Sequence, residues 1–243
     1  MSEAPSIVGR MDIILIPGLW LDASSWGAVT ADLERAGHRV HPLTLPGVGA
    51  PAPESAGIGM STWIAAAVAA VDDVDAPVVV VGHSGGGNVA WGVADARAEK
   101  VARVIFVDTV APPSGFGIGE FADVDGVVPF PGWDFFPAED VGDLDEETRA
   151  RTAPLAHSVP ARVPSDPIEL GDPQRHRVPV TFLMGSYDRE TLESELAEWG
   201  PYAEEHRAIT DKEVVRLGSG HWPQFSMPQR LAALIDDTVT RQR

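Results

Sequence analysis

One serine in this chain sits where residue types and spacing make a nucleophile. Val78-Val79-Val80-Val81 runs directly into Gly82-His83-Ser84-Gly85-Gly86, and an Ala/Val-rich helical pattern follows. The β-branched run predicts a buried strand, the glycines a sharp turn and the remainder a helix. A serine at the tip of such a turn takes strained backbone angles, so the positions two before and two after must be small. Gly82 and Gly86 meet that demand. The strain lifts the Ser84 hydroxyl clear of the sheet, where an imidazole reaches it from one side and a substrate from the other. The N–H of Gly85, first in the new helix, has no intrahelical acceptor and can face a developing oxyanion. Gly-x-Ser-x-Gly also occurs in ordinary turns; between a buried strand and a helix, the nucleophile reading is the stronger one.

A serine hydroxyl is a poor nucleophile near neutral pH and needs a base, which in turn needs an orienting acid. Of the seven histidines, His221 fits best, in Gly218-Ser219-Gly220-His221-Trp222-Pro223 after the last predicted strand. His38 and His41 flank an early strand, His157 and His176 lie in or beside an irregular region, and His206 ends a helix. His83 occupies the variable position of the turn, with its side chain expected to point away from Ser84. Two carboxylates compete for the role of acid. Asp188 ends Met184-Gly185-Ser186-Tyr187-Asp188, and Asp108 ends Phe106-Val107-Asp108. Asp188 is favoured because the order Ser, Asp, His with the acid after the penultimate strand is the commoner layout. For either, the competing role is a strand-end cap or an ion pair such as Asp188 with Arg189. The second oxyanion donor is expected from Ile16-Pro17-Gly18-Leu19-Trp20, at the Leu19 N–H.

These residues need a frame. Short apolar runs at 11–16, 38–43, 77–81, 101–107, 178–184 and 213–217 read as strands. Helical spacing is found at 25–36, 61–74 (Ser61 as N-cap), 86–98, 190–205 and 228–240. Apolar strands alternating with amphipathic helices predict an α/β fold with a parallel sheet covered on both faces. Ligands bind such sheets at the carboxyl ends of strands, and Pro17-Gly18, Ser84, Asp108, Asp188 and His221 all fall there. Residues 1–110 and 178–243 form the predicted core. Between them, 111–177 is irregular, with a modest helical pattern only at 145–155. A connector that long is unusual inside a compact domain, which points to a functional lid. Its aromatics include Phe130, Trp133, Phe135 and Phe136. With Trp20 and Trp222 near the mouth, they predict an apolar or aromatic substrate contacting Trp20, Trp133, Phe136 and Trp222; the alternative is that they only anchor the lid.

Composition narrows the function. The chain has no cysteine, which excludes disulfides, thiolate catalysis and cysteine-ligated metal centres. A formal charge of −18 argues against nucleic acid and anionic membranes as partners. The start of the chain lacks a basic segment and an apolar core, and no apolar stretch is long enough to span a bilayer, so the expectation is a cytoplasmic protein, a monomer or homodimer acting on a small molecule without cofactor or metal. Ten carboxylates and no basic residue lie between Glu120 and Glu147. Asp123-Val124-Asp125-Gly126 has part of a calcium-loop pattern but lacks the glycine at position six and the glutamate at position twelve, so the acidic run is read as a solvated face.

Gly82-His83-Ser84-Gly85-Gly86, the strand followed by Pro17-Gly18, the Gly185-to-Asp188 turn and the Gly220-His221 loop together resemble the α/β-hydrolase fold over nearly the whole chain. The resemblance is greatest to the small esterase, lactonase and hydroxynitrile-lyase-like branch, with Trp26 shortly after the oxyanion loop. It implies an eight-stranded sheet, a site roofed by 111–177, and an ester or lactone hydrolase working through an acyl-enzyme on Ser84. A lyase or cofactor-independent enzyme using His221 as base, and a small-molecule receptor with a vestigial triad, share the fold. Family members usually carry His-Gly where this chain has Pro17-Gly18. Some relatives, zearalenone lactonases among them, place the acid after the strand that Asp108 ends.

Overall fold

The computed structural model describes residues 10–241. Among them eight strands occur in chain order: β1 (Asp12–Ile16), β2 (Arg39–Pro42), β3 (Val78–His83), β4 (Val101–Val107), β5 (Val127–Val128), β6 (Val159–Pro160), β7 (Val180–Met184) and β8 (Lys212–Arg216). Six of them form one sheet in the order β2-β1-β3-β4-β7-β8, every pair parallel. Among the described residues this sheet therefore has six strands where the resemblance implied eight. β5 and β6 pair separately as a small antiparallel ribbon.

Burial follows position in the sheet. β1, β3 and β7 are buried along their whole length, whereas the edge strands β2 and β8 are half-exposed and carry charge. Alternate residues of each central strand feed opposite faces, as a period of two requires. Ile14, Val80, Phe106 and Phe182 pack with Trp63 and Val71 of the helix Met60–Asp72 and Trp91 of the helix Gly86–Ala96. Ile13, Val79, Val81, Ile105 and Leu183 pack on the other face against Val29 and Leu33 of Gly27–Arg35 and Leu231 and Ile235 of Pro228–Thr240. Each side chain of this size buried on both faces is worth roughly 1.5–3 kcal/mol.

The helical pattern at 190–205 resolves into two helices, Arg189–Leu196 and Pro201–Ala208, interrupted at Gly200 with φ 53° and started again by Pro201. Proline suits a first helical turn and glycine the break before it. The stretch after β4 is not a separate body. Val128, Val159, Val163 and Ile168 join the apolar cluster of the first sheet face, while Trp133, Val141 and Leu144 cluster with Leu21, Trp222 and Phe225. No helix among the described residues is long and apolar enough to cross a membrane.

Candidate active site

Ser84 follows β3 with φ 51°, a left-handed conformation that disfavours an L side chain. The surroundings impose it. The Ser84 N–H donates to Val107 O of β4 at 3.1 Å, and the helix begins two residues later. A Cβ on Gly82 would lie 2.5 Å from Gly86 O, and one on Gly86 2.5 Å from Pro17 O. The backbone approaches too closely there for any other residue, as the spacing of the glycines predicts.

Asp108 repeats the device one strand over. It follows β4 with φ 49°, and its N–H donates to Leu183 O at 2.8 Å. Its carboxylate accepts from the Gly185 N–H through Oδ1 at 2.7 Å and from His221 Nδ1 through Oδ2 at 2.6 Å. Burial opposes its ionisation, but the hydrogen bond and charge of His221 and the Gly185 N–H outweigh burial and hold the carboxyl below its ordinary value. An ionised Asp108 only accepts, so Nδ1 of His221 is the protonated nitrogen of its neutral imidazole, and Nε2 is then the acceptor in that tautomer. Ser84 Oγ lies 2.9 Å from that Nε2.

Asp188, favoured from the sequence, is not at this site. It is exposed and caps the helix Arg189–Leu196, its carboxylate accepting the Thr191 N–H at 2.9 Å. It is a helix N-cap where the sequence reading weighed a strand-end cap, and Asp108 is the carboxylate on His221. Helical spacing beginning just after Asp188 was the available signal, since Asp is a preferred N-cap.

The His221 loop is clamped from two sides. Gly218 N–H and Ser219 N–H donate to Gly185 O at the end of β7, at 2.7 and 3.2 Å. From the other side, Asp143 Oδ2 accepts the Gly220 N–H at 2.7 Å and Asp140 O accepts the His221 N–H at 2.8 Å. Reading 120–147 as a solvated face thus fails at these two positions: Asp140 and Asp143 are half-buried, while the other carboxylates of the run are exposed. Burial pushes the Asp140 carboxyl up, His221 opposes that, and the Asp108 and Glu139 charges add to it. His83 also serves the loop. Its Nε2–H donates to His221 O at 2.7 Å and its Nδ1 accepts from the Gln224 amide at 3.2 Å. Burial, with the His221 charge adding, lowers its pKa to about 3, so it stays neutral.

Leu19 and Gly85 flank the hydroxyl, and among the described residues neither backbone N–H has a protein acceptor. Ser84 opens onto two cavities. One, of about 230 Å³, is walled by Trp20, Phe121, Phe136, His221 and Trp222. The other, of about 610 Å³, is lined by Asn88, Thr109, Phe116 and Tyr202. Trp20, Phe136 and Trp222, three of the residues named from the sequence as substrate contacts, line the smaller cavity. Trp133 does not: it packs edge-on behind Trp222 with ring centroids 5.0 Å apart, and its Nε1–H donates to Arg149 O at 3.2 Å. Sequence reasoning missed Ile118, Phe121 and Asp140, which lie in an irregular stretch with no period to read. It also missed Asn88, four residues after Ser84 and so one helical turn on.

A serine hydroxyl on an imidazole whose far nitrogen is held by a buried carboxylate is an arrangement for proton removal during nucleophilic attack. A model of the alpha/beta hydrolase family matches residues 13–234. The chain belongs to the alpha/beta hydrolase family. Within that family it is similar to a carbendazim-hydrolyzing esterase from Nocardioides sp., 33% identical over 106 residues. That match spans 43% of this chain and 44% of the relative, so the chain covers less than half of it. Pimeloyl-(acyl-carrier protein) methyl ester esterase from Aromatoleum aromaticum is 28% identical over 261 residues, 96% of this chain and 99% of the relative. In fold, an extracellular alpha/beta-hydrolase from a Paenibacillus species superposes with a TM-score of 0.75 at 18% identity, covering 94% of this chain and 98% of that one.

Proposed function

We propose that this alpha/beta hydrolase is a serine carboxylic ester hydrolase acting on a small, apolar or aromatic ester or lactone. The observation that carries the reading is the unbroken chain of contacts from Asp108 through His221 to Ser84, with the Leu19 and Gly85 N–H groups free of any protein acceptor among the described residues. Ser84 Oγ attacks the carbonyl carbon as its proton passes to His221 Nε2. Asp108 keeps the imidazole in the required tautomer and stabilises the imidazolium. The Leu19 and Gly85 N–H groups take up the charge on the carbonyl oxygen; each such donor typically lowers a barrier by about 3–4 kcal/mol. The C–O bond then breaks, His221 returns the proton to the departing oxygen, and water activated by the same imidazole releases the acid from Ser84. Attack by Ser84 Oγ through an acyl-enzyme sets this apart from same-fold lyases and receptors. Residues 111–177 act as the lid, supplying Ile118, Phe121 and Phe136 to the cavity walls.

Fluorophosphonate labelling tests the reading. Wild type is expected to be labelled at Ser84 and to hydrolyse p-nitrophenyl acetate, and Ser84→Ala and His221→Ala to do neither. An unlabelled, inactive wild type would overturn it.

A further inference from the structure

The two cavities at Ser84 share only two wall residues, Ser84 and Ile118. His221 and Leu19 line the smaller one and Gly85 the larger, so Ser84 stands at their junction with the imidazole on the smaller side. Resting on the ester hydrolase reading, we propose that Ile118 sorts the two halves of the substrate, the alcohol half entering the aromatic cavity beside His221 and the acyl half the larger cavity beyond Ile118.

Proton bookkeeping sets the direction. When Ser84 Oγ bonds to the carbonyl carbon, its proton moves to His221 Nε2. The departing alkoxide must collect that same proton as the C–O bond breaks, so it leaves on the imidazole side. The carbonyl oxygen points between the Leu19 and Gly85 N–H groups. The remaining substituent, the acyl group, is left the larger cavity that also opens at Ser84.

Size and chemistry then define the substrate. Whole ligand sites run about 300–1,000 Å³. The His221-side cavity, at about 230 Å³, falls below that range and takes a compact group; the other, at about 610 Å³, lies well within it. The smaller cavity is walled by aromatic rings braced edge to face, with Trp20 and Phe121 at 5.0 Å and Phe136 and Trp222 at 4.6 Å, so it suits a flat or apolar group and resists expansion. Asp140 is part of its lining, which disfavours an anionic alcohol. The substrate class is an ester of a compact, uncharged, apolar or aryl alcohol with a larger acyl group.

Two substrate series on wild type, Phe136→Ala and Tyr202→Ala test the sorting: butyrates of methanol, phenol and 4-phenylphenol, and p-nitrophenyl esters from acetate to decanoate. Wild type should lose about tenfold or more in kcat/KM between the phenyl and biphenyl esters and hold or gain along the acyl series. Phe136→Ala should recover the biphenyl ester without reordering the acyl series, and Tyr202→Ala should shift the acyl optimum without helping the biphenyl ester. The reverse pattern, or no shift in either ranking, overturns the sorting. Fluorophosphonate labelling of Ser84, run on each variant as an active-site titration, separates the two levels: labelled protein with reversed ranking refutes the sorting alone, and unlabelled wild type refutes the hydrolase reading beneath it.

Discussion

Asp108 and His221, 113 residues apart in the chain, meet at 2.6 Å because β4 and β7 are neighbours in the sheet. The strand end that carries Asp108 is hydrogen-bonded to Leu183, and two residues beyond Leu183 lies Gly185, which both donates to Asp108 and accepts from the His221 loop. A side chain at Gly185 would stand 2.7 Å from Ser219 O and 2.8 Å from Asp108 Oδ1. Acid and base thus share one bare backbone turn as a common support.

Exchanging the two candidate acids decides between them. Asp108→Asn keeps the shape but presents an amide to Nδ1, turning the imidazole into the wrong tautomer, and should lower kcat by about 10⁴-fold. Asp188→Ala should leave kcat unchanged and lower the melting temperature through loss of the helix cap. Steady-state kinetics on p-nitrophenyl acetate and a thermal melt of each variant measure both; a silent Asp108→Asn would remove it from the mechanism.

The elbow predicts a cost far out of proportion to one methyl group. In Gly86→Ala the new Cβ would meet Pro17 O at 2.5 Å and Ile16 O at 2.7 Å, forcing the Pro17-to-Leu19 loop away from Ser84. Displacement of a catalytic donor by about 1 Å costs on the order of 10²-fold. The folded variant, verified by circular dichroism, should show that loss in kcat; full activity would mean the loop tolerates the shift.

Acid sensitivity should trace in part to His206. It is buried against Phe182, neither ring nitrogen has a hydrogen-bond partner among the described residues, and burial, with the Lys212 charge adding, lowers its pKa to about 4 from 6.5. Between those values the unfolded chain holds a proton that the folded chain refuses, so stability falls as pH drops from 6.5 towards 4. The slope is at most about 1.4 kcal/mol per pH unit for this one group. His206→Leu should flatten urea-derived stability over that window and change little at pH 8. An unaltered slope would assign the sensitivity to other groups, His83 first among them.

Glu205 holds together parts of the molecule that no strand connects. Nearly buried, it accepts from Trp91 Nε1 at 2.8 Å, Arg175 Nε at 2.9 Å and His176 Nε2 at 2.9 Å. Removing one partner of a buried ion pair typically costs about 3–5 kcal/mol. Glu205→Ala should lose that much in urea unfolding, with Glu205→Gln recovering part; a loss under about 1 kcal/mol would show that Arg175 transfers its charge wholly to Asp95, its other partner at 3.1 Å.

The sheet was legible because its central strands are continuous apolar runs, and Ser84 and His221 because glycines mark the tight turns that carry them. The choice of acid was not: Asp108 and Asp188 both end strands, and strand adjacency, which decides between them, leaves no mark in local pattern. The cap at Asp188 did leave one, in the helix that starts beside it. Residues 111–177 resisted reading for another reason. Their order comes from packing on the sheet face and on the His221 loop, through contacts such as Asp143 to Gly220 that have no periodicity. Trp133 shows the limit of composition, being as aromatic as Phe136 yet turned into the interior behind Trp222.

Asp140 and Asp143 hold the loop that carries His221, and both belong to the stretch that also walls the small cavity. Whatever shapes the alcohol side of the pocket therefore also props the imidazole. A change of specificity made by grafting this stretch from a relative would have to bring its own acceptors for the Gly220 and His221 amides, or it would alter the turnover of every ester along with the choice among them.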